Sequence, residues 1–274
     1  MDQSTSDLPR IPDELAPYAA EIEATVRDSV SLKLKPSDSL KLWQSKVGGE
    51  PYLPLGTEYP CNPNGTPLAL LAQINFAEMP SMPDYPDKGI LEFYIDVDEP
   101  DAGVDMEHPT EQRDFRVLYF DEAHEDESRL RRDTRKYQER PEFFPLQDDR
   151  DYSIEFTLEK KYITCSDYRF ETMPFSDNGG LVDGGLDHLF NETFSKFGHR
   201  IGGYPDFMQA DPREYSEELR GYELLFQLNS EWGVGPDDDV NIMWGDAGVA
   251  GFFIRPEDLK KRVFTDIFYT WDCC

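Results

Sequence analysis

Apolar and polar residues alternate in two separate stretches of the chain, SVSLKLK at positions 29–35 and SIEFTLE at positions 153–159. A repeat of two residues is typical of a strand that buries one of its faces. Ahead of the first stretch, within residues 11–29, apolar side chains recur three and four positions apart, which indicates an amphipathic helix. The pattern therefore predicts a helix that packs on a sheet, and one such strand in each half of the chain.

A second pattern is a motif that occurs twice, as SKVGGEP in the first half and as HRIGGYP in the second. Gly48 precedes Gln73 by 25 positions, and Gly202 precedes Gln227 by the same 25 positions. The two glutamines lie in the apolar stretches ALLAQIN and ELLFQLN, which predict strands. Further apolar stretches follow in each half, namely GILEFYID and FRVLYFDE in the first and GVAGFFIR and RVFTDIFYTW in the second.

This repetition predicts an internally duplicated α+β protein, with two mainly antiparallel β-sheet units and peripheral helices. The N-terminal unit is expected at residues 1–148, with the amphipathic helix leading it, and the C-terminal unit at residues 149–274. One compact domain with a pseudo-twofold axis is an alternative arrangement of the same two units.

Acidic residues outnumber basic ones by 56 to 27, and the formal net charge is −29. A surface of this sign repels phosphate backbones and anionic lipid, which argues against nucleic-acid and membrane binding. It attracts a basic protein or a cation. Solubility, or adaptation to a salty cytoplasm, is the alternative explanation of the same charge.

Cysteines, histidines and known motifs narrow the protein class. The four cysteines are scattered without a CxxC pair and the four histidines lie far apart, so neither a disulfide framework nor a zinc motif is predicted. No signal segment or membrane-length apolar stretch occurs, and a reduced, soluble, cytoplasmic protein is expected. Motifs for phosphate, dinucleotide or serine-nucleophile chemistry are missing, so enzyme activity is left open and no catalytic residue, metal or cofactor is predicted.

The repeated motif and the string MWGDAGV at positions 243–249 supply the candidate binding residues. A double glycine before proline suits a tight turn, whose amides can also bind an anion beside a basic side chain. A strand glutamine can tie a loop to the sheet or bond a ligand between the halves. The tryptophan and aspartate of the string can form a binding wall with a carboxylate, or can pack in the core and stabilise a turn. The predicted ligand-binding residues are Lys46, Gln73, His199, Arg200, Gln227, Trp244 and Asp246.

Taken together, the quoted motifs resemble those of the bacterial YwqG-like family, a domain family of unknown function. The resemblance covers nearly the whole chain, and the chain departs from the family in a longer acidic segment around residues 96–150. The resemblance implies a duplicated α+β fold, and it supplies no established catalytic residue or cofactor.

Two functions are consistent with these features. The first is an interaction protein that binds another protein, such as a basic, toxin-like one, because the net charge is strongly negative and catalytic motifs are missing. The second is a small-ligand-binding protein or weakly marked enzyme, with a site between the two repeats.

Overall fold

A computed structural model describes residues 8–137, 143–148, 150–176, 185–233 and 240–274. Strands dominate these ranges, and the helices are short. The strands, numbered along the chain, are β1 (Arg27–Pro36), β2 (Lys46–Val47), β3 (Ala69–Asn75), β4 (Ile90–Ile95), β5 (Phe115–Phe120), β6 (Tyr152–Lys161), β7 (Arg200–Gly202), β8 (Glu223–Asn229), β9 (Glu231–Trp232), β10 (Asn241–Ile242), β11 (Val249–Ile254) and β12 (Ile267–Asp272). The α-helices are α1 (Ala19–Glu23), α2 (Leu186–Phe194), α3 (Pro212–Tyr215) and α4 (Pro256–Lys261), and 3-10 turns occur at Asp13–Tyr18, Glu127–Arg129, Arg135–Tyr137 and Tyr168–Thr172.

Ten of these strands form one antiparallel sheet in the order β12, β11, β8, β7, β1, β6, β2, β3, β4, β5, and β9 pairs with β10 separately. β1 pairs with β6 along its whole length, and its other edge pairs with β7. The prediction of two α+β units is therefore wrong, because strands from both halves of the chain continue one another in a single sheet with few helices. Alternation identifies a strand but carries no information on its neighbours. The division into residues 1–148 and 149–274 stays a prediction.

The individual strands agree well with the sequence pattern. β3 and β8 coincide with ALLAQIN and ELLFQLN, and the other quoted apolar stretches each contain or overlap a strand. In β1, Val30, Leu32 and Leu34 are buried and the residues that follow each of them are more exposed. The predicted amphipathic helix is shorter than expected: a 3-10 turn that contains Pro17 precedes the five residues of α1. Proline lacks the N–H group that a longer α-helix needs at this point.

Aromatic side chains fill the interior of the curved sheet. The Phe93 ring on β4 stacks on Phe226 of β8, with centroids 4.6 Å apart, and lies 4.8 Å from Phe252 of β11. Phe252 stacks in turn on Tyr269 of β12 at 4.4 Å, and Tyr269 lies 5.2 Å from Phe115 of β5. The two edge strands thus approach one another across the core, and the sheet is a nearly closed barrel whose interior is packed with rings.

The gap between the edge strands β5 and β12, which we call the seam, is closed by residues 96–114. Gln112 spans it, since its Oε1 accepts a hydrogen bond from the Val117 amide at 2.7 Å and its Nε2 donates to the Phe264 carbonyl at 2.8 Å. The Tyr269 amide donates to the Pro109 carbonyl at 3.2 Å. The connection between β4 and β5 therefore covers the sheet edges that would otherwise expose unpaired backbone groups.

Candidate functional site

A buried lysine holds the first double-glycine turn. Lys46 is 1% exposed, and its Nζ donates to the carbonyls of Leu42 at 3.1 Å and Glu50 at 2.6 Å, four positions before and after it. Gly48 and Gly49 have φ values of 73° and 78°, the left-handed region that favours glycine. The turn therefore needs both glycines for its backbone and the lysine for its carbonyls.

An arginine holds the second turn in the same way. Arg200 is 1% exposed and donates to the carbonyls of Lys196 at 2.6 Å and Tyr204 at 2.9 Å, again four positions before and after it. Gly202 and Gly203 have φ values of 66° and 73°. The repeated motif thus specifies one backbone geometry, which occurs next to β2 and again at β7.

The two strand glutamines link these turns to the sheet. Gln73 Oε1 accepts a hydrogen bond from the Tyr52 amide at 2.7 Å, and Gln227 Oε1 accepts one from the Asp206 amide at 2.8 Å. The Nε2 group of each glutamine donates to a carbonyl of the segment before its double glycine. Each glutamine therefore fixes both arms of its turn on the outer face of the barrel.

Charge is balanced differently at the two turns. Arg200 donates directly to Asp206 at 2.6 Å, and both side chains are buried. Near Lys46 the buried carboxyl group is that of Glu92 on β4, which accepts a hydrogen bond from the Tyr94 hydroxyl at 2.8 Å instead. Burial raises the pKa of Glu92 to about 8 and lowers the pKa of Lys46 to about 8. Sequence reasoning missed Glu92, although a single acid within the apolar stretch GILEFYID is a signal that could have found it.

The remaining three predicted residues are His199, Trp244 and Asp246, and each has different surroundings. His199 Nδ1 accepts a hydrogen bond from the Asn229 amide at 3.0 Å, so Nε2 carries the proton that faces the Glu231 carboxylate at 2.6 Å. This bond is the main cause that lowers the pKa of Glu231. Trp244 is 2% exposed in the core, and Asp246 is exposed on the following turn.

The seven predicted residues therefore do not converge on one point. Lys46 and Gln73 lie at the first turn, and His199, Arg200 and Gln227 lie at the second. Their polar groups bond mainly to nearby backbone. This is the arrangement expected if the strand glutamines tie loops to the sheet. Ligand binding by these residues stays a prediction.

A different surface stands out at the seam. A shallow cavity of about 510 Å³ lies there, between the connection from β4 to β5 and the end of β12. We call it the seam surface and define it by the residues that line the cavity, namely Asp101, Val104, Asp105, Met106, Glu107, Asp114 and Trp271. Four of the seven are carboxylates and none is basic.

Two side-chain donors of β12 fix the loop that carries these acids. Trp271 Nε1 donates to the Asp101 carbonyl at 2.6 Å, and the Tyr269 hydroxyl donates to the Ala102 carbonyl at 3.0 Å. Ala102 and Gly103 both have positive φ, 47° and 86°, and a Cβ atom on Gly103 would lie 2.3 Å from the Asp114 carbonyl oxygen. The loop is therefore held in one strained conformation against the barrel.

Like charges are held close together on this surface. Burial, and then the carboxylates of Asp96, Asp101 and Asp105, raise the pKa of Asp114. In their midst the Met106 side chain is 91% exposed. A large apolar side chain surrounded by carboxylates resembles the centre and rim of a protein-binding surface.

Sequence reasoning did not find the seam surface. The acids of residues 96–114 are visible in the sequence as part of the longer acidic segment. The tryptophan that fixes them lies 170 positions away from Asp101, and nothing local connects the two.

Comparisons with known proteins give the family and no activity. A family model described as a domain of unknown function, DUF1963, matches residues 45–273. A search of curated proteins finds no match. Within the ranges that the structure covers, no helix is long and apolar enough to cross a membrane, and no group of three or more histidine, cysteine or acidic residues is arranged to hold a metal ion.

Proposed function

Because the chain belongs to the DUF1963 family of domains of unknown function, we propose its function from the site itself: it binds a basic protein through the seam surface. The observation that carries this proposal is Met106, which is 91% exposed within a rim of carboxylates. An exposed apolar anchor with a charged rim is the arrangement that protein interfaces use.

The spacing of the carboxylates favours a protein over a single ion. No three of the described acids on the seam surface are arranged to hold a metal ion, which requires oxygen ligands within bonding distance of one point. Several ammonium or guanidinium groups on a partner can each face a different carboxylate. Binding would also relieve the mutual repulsion that contributes to the raised pKa of Asp114.

The net charge of −29 supports the same partner class. A strongly negative surface accelerates encounter with a basic protein, and it does so less as salt screens the charges. A toxin-like protein is the more specific partner that this proposal favours. Membership of a YwqG-like family is the more specific relationship that the repeated motifs of this chain suggest.

Capture from the protein's own host tests the proposal. The wild-type protein and the variant Met106→Ala/Glu107→Gln are immobilised and washed at low and at high salt, and retained proteins are identified by mass spectrometry. Leu55→Ala/Glu58→Gln is the matched control. It also removes one large exposed apolar side chain and one nearby exposed acid, and neither residue belongs to the seam surface.

We expect wild type and control to retain the same basic protein at low salt, and the seam variant to bind it at least about tenfold more weakly. Equal retention by the seam variant and the control would contradict the proposal.

The small-ligand site formed by the seven sequence-predicted residues is the weaker proposal. Lys46 and Arg200 would have to give up hydrogen bonds to their own turns to contact a ligand. Spectral changes at the two glutamine side chains on addition of a ligand would support it.

A further inference from the structure

A second cavity lies on another face of the barrel. It has a volume of about 330 Å³ and lies between residues 82–85, the turn at Gly202 and Gly203, and the start of α4. This volume is near the lower end of the range for small-molecule sites, which is about 300–1,000 Å³. The cavity is distinct from the seam surface and from the seven residues that the sequence singled out.

The inner wall of this cavity is apolar. Met82, Leu224, Ile254 and Leu259 all line it, and each is less than 10% exposed over the whole side chain and backbone. They come from the loop after β3, from β8, from β11 and from α4. A ligand that enters therefore meets a preformed apolar wall built by rigid elements.

One basic side chain faces the cavity in a fixed orientation. Arg27 lies over the Tyr204 ring, 4.5 Å from its centroid, and donates to both oxygens of Glu223, at 2.6 and 3.4 Å. These two bonds use two of the five N–H donors of a guanidinium group. The Arg27 side chain is 35% exposed, so its remaining donors can meet a carboxylate.

Two aspartates complete the rim. Asp28 forms an ion pair with Lys160 at 2.7 Å, and Asp84 forms one with Lys260 at 3.4 Å. Both pairs are partly exposed, and such pairs contribute little to stability. Their carboxylates can therefore accept hydrogen bonds from a bound ammonium group. Asp84 also has a φ of 70°, which is uncommon for a residue other than glycine.

We propose that this cavity binds a free amino acid with an apolar side chain. The carboxylate of the ligand would meet the free N–H groups of Arg27, its ammonium group would meet Asp84 and Asp28, and its side chain would lie on the apolar wall. A zwitterion carries no net charge, so it avoids the repulsion that a simple anion meets from a protein of charge −29.

L-Leucine is the probe that tests this inference. Its binding to the full chain is measured by calorimetry and by chemical-shift changes at the residues that line the cavity. 4-Methylpentanoate lacks the ammonium group, isoamylamine lacks the carboxylate, and glycine lacks the apolar side chain. We expect leucine to bind more tightly than all three compounds, with shift changes at Leu224 and Leu259.

Asp84→Asn provides the matching change in the protein. Asparagine keeps the size of the side chain and tolerates positive φ, so the loop is expected to remain folded. We expect leucine binding to weaken about fivefold, in keeping with the loss of an exposed charge contact. Asp87→Asn, in the same loop but outside the cavity lining, is the control and should leave binding unchanged.

Absence of leucine binding at millimolar concentration overturns the inference. It is also overturned if isoamylamine or 4-methylpentanoate binds as tightly as leucine, because the cavity would then recognise only an apolar group. Equal weakening by Asp84→Asn and Asp87→Asn has the same consequence.

Discussion

The two double-glycine turns have the same backbone bonds and different chemistry. At each turn a buried cation donates to carbonyls four positions before and after it, and a strand glutamine fixes both arms. At the second turn the cation is Arg200, which is directly bonded to Asp206. At the first turn the cation is Lys46, and the buried acid Glu92 bonds to Tyr94.

This difference shows how one backbone geometry can tolerate two states of charge. A guanidinium group stays protonated and pairs with a carboxylate in a planar arrangement, whereas burial readily lowers the pKa of an ammonium group. The first turn is expected to change its protonation near pH 8, where the pKa values of both Lys46 and Glu92 lie.

The largest expected effect comes from removal of each cation. Arg200→Met leaves Asp206 buried without its partner, and breaking a buried ion pair on one side costs about 3–5 kcal/mol of unfolding free energy. Lys46→Met removes mainly hydrogen bonds to carbonyls, and we expect a loss of about 1–3 kcal/mol. Urea unfolding at neutral pH, followed by tryptophan fluorescence, measures both losses.

The double variant Arg200→Met/Asp206→Asn separates the two contributions at the second turn. If charge balance dominates there, neutralising Asp206 recovers part of the stability lost in Arg200→Met. Equal losses for Lys46→Met and Arg200→Met would instead mean that the carbonyl bonds determine stability at both turns.

The next effect is a dependence of stability on pH that belongs to the first turn. Glu92 has a pKa of about 8 in the folded protein against an ordinary value of 4.5, so the folded state keeps a proton that the unfolded state releases in this window. The free energy of unfolding therefore has its full value, as far as Glu92 is concerned, below pH 4.5. It falls as the pH rises from 4.5 to 8. Glu92→Gln stays neutral, so its stability relative to wild type should rise between pH 5 and 7.5, by an amount on the order of 3 kcal/mol.

Urea unfolding of both proteins across this pH range tests the expectation, because contributions of groups that do not interact with Glu92 cancel in the difference. Glutamine retains one acceptor oxygen for the Tyr94 hydroxyl, and the Tyr52 amide that donates to the other Glu92 oxygen also donates to Gln73. The substitution therefore chiefly removes the titration of this side chain. A difference between the two proteins that stays constant with pH would show that Glu92 is ionised in the folded state at neutral pH.

Sequence patterns predict the parts of this molecule that depend on neighbours along the chain. Alternation located β1 and β6, and the spacing of glycine and glutamine located both turns. The pairing of β1 with β6 was missed, because alternation is the same whichever strand lies beside it. The seam surface was missed for a similar reason, since Trp271 and Asp101 meet only when the sheet closes.

The smallest effect compares the second glycine of each turn. Alanine at Gly49 or Gly203 must adopt a left-handed conformation, which costs about 1–2 kcal/mol at either position. A Cβ atom at position 203 would lie 3.0 Å from the Cβ of Ser29 on β1, whereas one at position 49 would have a slightly longer nearest contact, 3.3 Å from the Cδ of Lys46. We therefore expect Gly203→Ala to lose more unfolding free energy than Gly49→Ala, by up to about 1 kcal/mol.

The variant Gly203→Ala/Ser29→Gly is the control, because it removes the Cβ of Ser29 that crowds position 203. Compared with Ser29→Gly alone, it should lose no more unfolding free energy than Gly49→Ala loses compared with wild type. If Gly203→Ala still costs more in this background, the extra cost comes from the pairing of β1 with β7 and not from the side chain of Ser29.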